Sequence, residues 1–395
     1  MATFRKRGKN WEYRIRYVDQ MTGKTKEKSK GGFKTKELAR YEASQVTIDL
    51  KDGFIERNEN ITISNYLDVW FESYKPTVKE TSWRNRENNT NILKAKFGET
   101  KLKKLNHNFY QKAINELSKN YAYNTLISIN QVAQMMAKHA VRDSYFKFNP
   151  IADIKIPHYD NEDEQILFLE TQEITIFKNY CIEDINKKRK LDFIHVKLEK
   201  ERELAIYYLM LYGGLRVGEA CALQLSDYYP ITKEINISKT LASKATSQTN
   251  DTYTVYPPKT KNAYRTIPLP EIAYKQLEKW LRLRKEYKLK FSAQFEEQCY
   301  IFPKKNGSPF TPRDIRTKLD VIMSRLDGEI TRITPHGLRH TYTALLIQAD
   351  TNVKHIQALL GHASIKTTLD IYAHITGDKK QESIANFDKM LKNLG

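Results

Sequence analysis

Thr334-Pro335-His336-Gly337-Leu338-Arg339-His340 sets two histidines four residues apart with an arginine directly before the second. Two histidines at that spacing also line a zinc-protease helix, but such a helix needs a glutamate general base after the first histidine, and here Gly337 stands there. The metalloprotease reading is set aside, and an H-x-x-R box beside a glycine remains. Four other segments of the C-terminal half combine functional side chains with glycines or expected element ends: Gly213-Gly214-Leu215-Arg216-Val217-Gly218-Glu219, Pro258-Lys259-Thr260-Lys261, Leu359-Leu360-Gly361-His362 and Thr367-Thr368-Leu369-Asp370-Ile371-Tyr372. Singly, each is weak. An arginine is more often a surface ion pair, and Tyr372 is one of 24 tyrosines, most of which serve packing or binding. Gly23-Lys24-Thr25 ends like a phosphate loop, yet Val18 occupies the site of the required upstream glycine, so no nucleotide site is supported.

The chain has 395 residues, enough for two or three domains at roughly 150 residues each. Its 66 Lys and Arg against 47 Asp and Glu leave a formal charge of +19. Such a surplus repels itself unless a polyanion supplies counter-charge, which makes nucleic acid the leading partner. Residues 11–17, interrupted by Glu12, Arg14 and Arg16, cannot serve as a signal-peptide core. The longest apolar run, 204–215, is shorter than the ~20 residues of a membrane span and predicts a buried helix. Cys181, Cys221 and Cys299 are single, widely spaced and odd in number, giving neither a disulfide framework nor a zinc knuckle. A reducing, cytoplasmic location is expected.

Charge is densest at the start, with twelve Lys and Arg against three acids in residues 1–36. Trp11, Tyr13, Ile15 and Tyr17 alternate with charged residues as in a half-buried strand, residues 19–23 supply a turn, and 24–30 suit a return strand. Thr35 is placed to cap a helix reaching Lys51, with Leu38, Tyr41 and Gln45 or Val46 on its inner face. Helical periods follow: Tyr66, Leu67, Trp70, Phe71 and Tyr74 form one apolar face, Pro76 ends it, and helices are expected at 82–97, 108–119 and 123–143. Acidic residues 158–165 break the pattern as a linker. Beyond them, helices are expected at 170–186 and 199–212, strands at 234–241, 253–259 and 264–269, the last two forming a hairpin around 260–263, and helices from 271 onward.

In this order the five segments closely resemble the active-site boxes of the tyrosine recombinase family, the phage integrases and their relatives. The resemblance implies a multidomain chain: a small α+β arm-site-binding domain at residues 1–59, an all-α core-DNA-binding domain at 60–157, the 158–165 linker, and a mainly α catalytic domain with a small antiparallel sheet at 166–395. The N-terminal module resembles that of integrases from conjugative transposons and related phages of Gram-positive bacteria. It is expected to bind DNA through a two-stranded ribbon carrying Arg14, Arg16, Lys24, Lys26, Lys28 and Lys30.

The family's chemistry assigns roles to matching positions. Charge spread over phosphate oxygens suits two forked guanidiniums, Arg216 and Arg339. Lys259 matches the lysine that protonates the leaving 5′ oxygen, with Lys261 two residues away as the competing choice. His336 would accept the phenol proton, His362 would hydrogen-bond the phosphate, and Tyr372 would be the nucleophile. Glu219 is suited to orienting Arg216, and His340 to a structural role. The resemblance implies a site-specific recombinase that integrates and excises a mobile element or prophage through a 3′-phosphotyrosyl intermediate, needing neither metal nor ATP. It further implies core and arm DNA sites, a homotetramer on DNA, an excisionase and a host DNA-bending protein. A type IB topoisomerase is a neighbouring possibility, and a catalytically silent DNA-binding regulator the alternative of another class. Ile384, Phe387, Leu391 and Leu394 predict an amphipathic helix over 381–394, packed in cis or, as the family suggests, passed to a neighbouring protomer.

Overall fold

The computed structural model describes residues 2–18, 23–51, 60–78, 80–157, 166–187, 194–244, 252–258, 260–362, 364–376 and 391. By contact the chain divides into two units, residues 1–163 and 164–395. In the first unit, β1 (Ala2–Arg7), β2 (Asn10–Val18) and β3 (Thr25–Phe33) form an antiparallel sheet in that order. The Thr35 hydroxyl accepts the Leu38 N–H at 3.2 Å and starts α1 (Lys36–Lys51). Of the expected inner face of α1 only Val46 meets the core. Leu38 and Tyr41 are exposed, whereas Ala39 and Ala43 are fully buried with Val46 and Leu50 beside them. Tyr13 and Ile15 fill the sheet side of this small core, and only alanine-sized residues fit where the helix comes closest.

A second core in this unit joins four helices: α2 (Ile63–Tyr74), α3 (Glu80–Phe97), α4 (His107–Leu117) and α5 (Tyr123–Arg142). Its centre holds Tyr66, Leu67 and Trp70, as the periodicity indicates, and the turn at Pro76 follows α2. The expected linker at 158–165 lies outside the described residues.

The second unit is built around α7 (Ile194–Gly213), whose residues 204–211 are all buried. Packed with it in one core are α6 (Thr171–Lys187), α9 (Glu271–Lys290) and α10 (Pro312–Arg325), while α11 (Pro335–Gln348) crosses between this core and a smaller one. Two antiparallel sheets are present among the described residues. One orders β4 (Tyr228–Tyr229), β5 (Glu234–Ile237) and β8 (Arg265–Pro268); the other pairs β6 (Thr240–Lys244) with β7 (Thr252–Tyr256).

The hairpin expected around 260–263 is therefore absent. The run 234–241 splits near Lys239, whose ammonium is held by Asp227 at 2.6 Å and Gln224 at 2.9 Å, so β5 and β6 enter different sheets. After β7, Pro257 and Pro258 offer no N–H, and a 3-10 turn at Lys261–Ala263 redirects the chain into β8 beside β5. No helix of the described residues is long and apolar enough to cross a membrane.

Candidate active site

Glu219 lies in the short helix α8 (Val217–Ala222), 4% exposed, and is surrounded by arginines from three elements. Its Oε1 accepts from Arg216 Nη1 at 2.7 Å and Arg265 Nη1 at 3.1 Å. Its Oε2 accepts from the Arg216 backbone N–H at 2.9 Å and Arg265 Nη2 at 2.8 Å. Arg339 Nη1 stands 3.8 Å from Oε2, an ion pair without a hydrogen bond. Burial alone would raise the Glu219 pKa, but hydrogen bonds and charge from Arg265, with Arg216 and Arg339, hold it below the usual carboxylate range.

The same guanidiniums grip the end of α12 (Val353–Leu360). Arg265 Nε donates to Leu359 O at 2.8 Å, Arg339 Nη2 to Leu360 O at 2.5 Å, and Arg216 Nη2 to Gly361 O at 3.3 Å. Carbonyls at a helix C-terminus lack partners and carry partial negative charge, so cations belong there. Gly361 caps the helix at φ 63, where a Cβ would lie 2.8 Å from Asn262 O. Only glycine brings the G-H box this close to the turn before β8. Gly214, at φ +65, similarly leaves no room for a Cβ against the Tyr342 ring, 2.4 Å away, and its carbonyl accepts from Arg339 Nη1 at 2.7 Å.

Arg339 is 1% exposed, and burial followed by the charge of Arg216 lowers its pKa to about 9, which leaves it protonated at neutral pH. Arg216, at the N-cap of α8, keeps 35% of its side chain accessible. His336 and His340 stand one turn apart on α11, their rings 4.4 Å between centroids. His336 keeps an accessible edge, yet the protein around it makes burial, ahead of Arg339 and Arg216, the main cause of its lowered pKa. His340 falls to about 4 and His362 to about 3, in both cases through burial first. For His362, the charges of Arg339 and Arg216 follow. His362 Nδ1 lies 3.0 Å from the buried Thr368 hydroxyl, which fixes the ring and leaves Nε2 as its other polar atom.

Tyr372 stands on α13 (Ile365–Thr376), whose preceding residue Ile371 is buried with Tyr342, Ile356 and Leu360. The Tyr372 ring is 38% exposed. Arg216, Arg339, Glu219, His336 and His362 thus form one electrostatic cluster, and α13 packs against the two helices that carry its histidines and glycine box. Lys259 lies outside the described residues; Lys261 is exposed on the 3-10 turn. A cleft of about 490 Å3 beside His362 is lined by Asn262, Tyr264, Arg265, Lys354 and Gln357. Among the described residues no group of three His, Cys, Asp or Glu is arranged to hold a metal ion. Arg265 was missed in the sequence reading; its only signal is a lone arginine opening β8, directly before Thr266 and Ile267.

In the N-terminal sheet the expected ribbon residues divide between two faces. Arg14 and Arg16 point outward and share Glu27 at 3.1 and 3.2 Å. Lys26, Lys28 and Lys30 pair across from Tyr17, Ile15 and Tyr13 on the helix side, and Lys30 reaches Glu42 of α1. Lys24 is exposed just before β3. Register places Arg5 and Arg7, which the sequence reading did not single out, on the outer face with Arg14.

Residues 182–379 match the phage integrase family, 62–118 its N-terminal SAM-like domain, and 3–50 an arm DNA-binding domain. The ICEBs1 integrase of Bacillus subtilis (strain 168) is 30% identical over 190 residues, 47% of this chain and about half (48%) of that protein. The transposase from transposon Tn916 of Enterococcus faecalis is 24% identical over 356 residues, covering 89% of this chain and 83% of the relative. The Tn1549 transposon integrase, solved with a circular intermediate DNA, shares the fold with a TM-score of 0.66 at 22% identity, over 83% of this chain and 99% of that one. A lambda integrase tetramer bound to a Holliday junction gives a TM-score of 0.55 at 15% identity, over 94% of each chain. The match over residues 182–379 spans half of the 395 residues, and the chain belongs to the phage integrase family, the tyrosine recombinases.

Proposed function

We propose that this site-specific recombinase integrates and excises a mobile element or prophage, with Tyr372 as nucleophile and Arg216 and Arg339 as the phosphate clamp. The observation that carries this reading is the pair of forked cations held on the carbonyls at the end of α12 beside His362, Arg216 being fixed on Glu219 as well. The Tyr372 oxygen attacks phosphorus, the P–O5′ bond breaks, and a 3′-phosphotyrosyl bond forms while a 5′ hydroxyl leaves. His336, neutral at pH 7 because its pKa is lowered, accepts the phenol proton. Lys259 supplies the proton to the leaving oxygen. His362 Nδ1 lies against the Thr368 hydroxyl; in the tautomer that accepts from that hydroxyl, the ring carries its proton on Nε2 and offers it to a phosphate oxygen.

On this reading residues 1–59 bind arm sites, 60–157 bind the core site, 158–165 connect them to the catalytic domain at 166–395, and four copies assemble on two duplexes in the cytoplasm, at the nucleoid. The ribbon's basic residues, Lys24, Lys26, Lys28 and Lys30 with Arg14 and Arg16, supply counter-charge. An excisionase and a host DNA-bending protein set the direction of exchange. Incubation with a suicide DNA site tests the reading. The wild-type chain should give a covalent adduct that survives denaturing electrophoresis, and Tyr372→Phe, which removes only the phenolic oxygen, should bind the same DNA and give none. Adduct formation by Tyr372→Phe would place the nucleophile elsewhere; DNA retarded but never covalent with the wild-type chain would make it a silent regulator.

A further inference from the structure

Arg265 spends nearly all of its donors inside the protein. Its side chain is 6% exposed. Nε is used on Leu359 O, Nη1 on Glu219 Oε1 and Ala263 O, and Nη2 on Glu219 Oε2, so four of its five N–H groups are committed inside the protein. On Glu219 these bonds matter because a carboxylate offers about four acceptor positions. Arg216 fills two through its side chain and backbone, and Arg265 fills the other two. Arg339 is left at 3.8 Å.

We propose that Arg265 is a positioning residue for the recombination reaction: it saturates Glu219 and pins the end of α12, which keeps Arg339 off the carboxylate and held on the Gly214 and Leu360 carbonyls in its clamp orientation. Without it, a buried carboxylate with two vacant acceptor positions would face the Arg339 guanidinium. The two would close into a charge-assisted pair, because a buried carboxylate is a stronger acceptor than the neutral Gly214 and Leu360 carbonyls that hold Arg339. The clamp would lose one arm although both of its arginines were present. The Leu359 carbonyl would also lose its donor, loosening the turn that presents Gly361 and His362.

The role rests on the recombinase reading, and the test separates the two. Single-turnover cleavage of a suicide site is measured beside site affinity and thermal melting for wild type, Arg265→Gln, Arg265→Lys, Glu219→Gln and the double variant Glu219→Gln/Arg265→Gln. Arg265→Gln should slow cleavage about 10- to 100-fold, the range for a residue supporting a reacting group from behind, at unchanged affinity. Arg265→Lys should fold yet cleave slowly, since one ammonium cannot span both carboxylate oxygens and a carbonyl. In the Glu219→Gln background the further Arg265→Gln change should slow cleavage several-fold less than it does in the wild type, because no carboxylate remains to be saturated and only the Leu359 contact is still lost. Independent, multiplying effects of the two substitutions would overturn the proposal, as would wild-type rates in Arg265→Lys. Loss of the fold in Arg265→Lys, which retains the charge, would assign the residue to the core alone and overturn it equally. A wild-type chain that never forms an adduct overturns the activity reading itself, whereas a wild type that cleaves no faster than Arg265→Gln overturns only the role of Arg265.

Discussion

His362 shows how the site sets the protonation of single residues. It is 9% exposed, burial together with Arg339 and Arg216 lowers its pKa to about 3, and His340 on the neighbouring helix falls to about 4. Above pH 6.5, the ordinary histidine value, both folded and unfolded chains carry these rings neutral, and their contribution to stability is fully present. As pH falls below 6.5 the unfolded chain binds protons that the folded site refuses, so stability declines continuously until pH passes the folded values. The melting temperature of the full chain should therefore fall steadily between pH 6.5 and 5, above the usual carboxylate range, and His362→Asn should flatten that slope. A melting temperature constant across that interval in the wild type would contradict the buried, neutral histidines. Residues of this kind were legible from sequence where a spacing marked them, as in His336 with Arg339 and in Gly361 with His362. Arg265 was not. It is one of 66 basic residues, and its importance comes from meeting Glu219 across 46 positions of chain, which no local pattern records.

Elements were legible where one face differs strongly from the other. The α2 face of Tyr66, Leu67, Trp70 and Phe71 reads directly because large residues fill a helix–helix core. In α1 the same rule picks the wrong side, since close approach to the sheet selects Ala39 and Ala43 and leaves Leu38 and Tyr41 outside. Strand pairing failed for a related reason: β5 and β6 form one continuous β-prone run in sequence, yet they pair with different strands, and Lys239 between them is tied to Asp227 and Gln224. Strand β1 escaped notice because Ala2 and Phe4 are its only apolar residues, and pairing with β2 specifies it. The register found there yields a prediction at this scale. On the outer sheet face Glu27 pairs with both Arg14 and Arg16, offsetting one of their two positive charges. Glu27→Gln should raise the affinity of the full chain for arm-site DNA and steepen its salt dependence, because two cations are released from an internal competitor. Unchanged affinity and slope, measured by titration at several salt concentrations, would remove this face from the DNA interface.

At the scale of the whole molecule, the distribution of charge and of apolar cores fits a division of labour. The N-terminal module carries its own core of Tyr13, Ile15 and Ala43, with Phe33 and Leu50 packed against it, and that core shares no buried residue with the helical core around Tyr66 and Trp70. Among the described residues, removing 1–59 therefore takes no apolar side chain from the helical core or from the site around Glu219. It does remove the densest positive charge of the chain, including the outward guanidiniums Arg5, Arg7, Arg14 and Arg16. Each cation that neutralises a duplex phosphate adds about 0.9 to the slope of log affinity against log salt, and three of these four already pair with an acid, Arg7 with Glu12 and Arg14 and Arg16 with Glu27. Deleting the module should thus reduce the slope by about one to four units. It should also erase any footprint outside the crossover core, while covalent cleavage of an isolated core suicide site continues near the wild-type rate. Footprinting and salt titration of the full chain and the deletion, on one DNA carrying candidate arm and core sequences, measure all three effects together. An unchanged footprint with an unchanged slope would show that the N-terminal charge is not spent on DNA, and loss of core cleavage would show that the module takes part in catalysis itself.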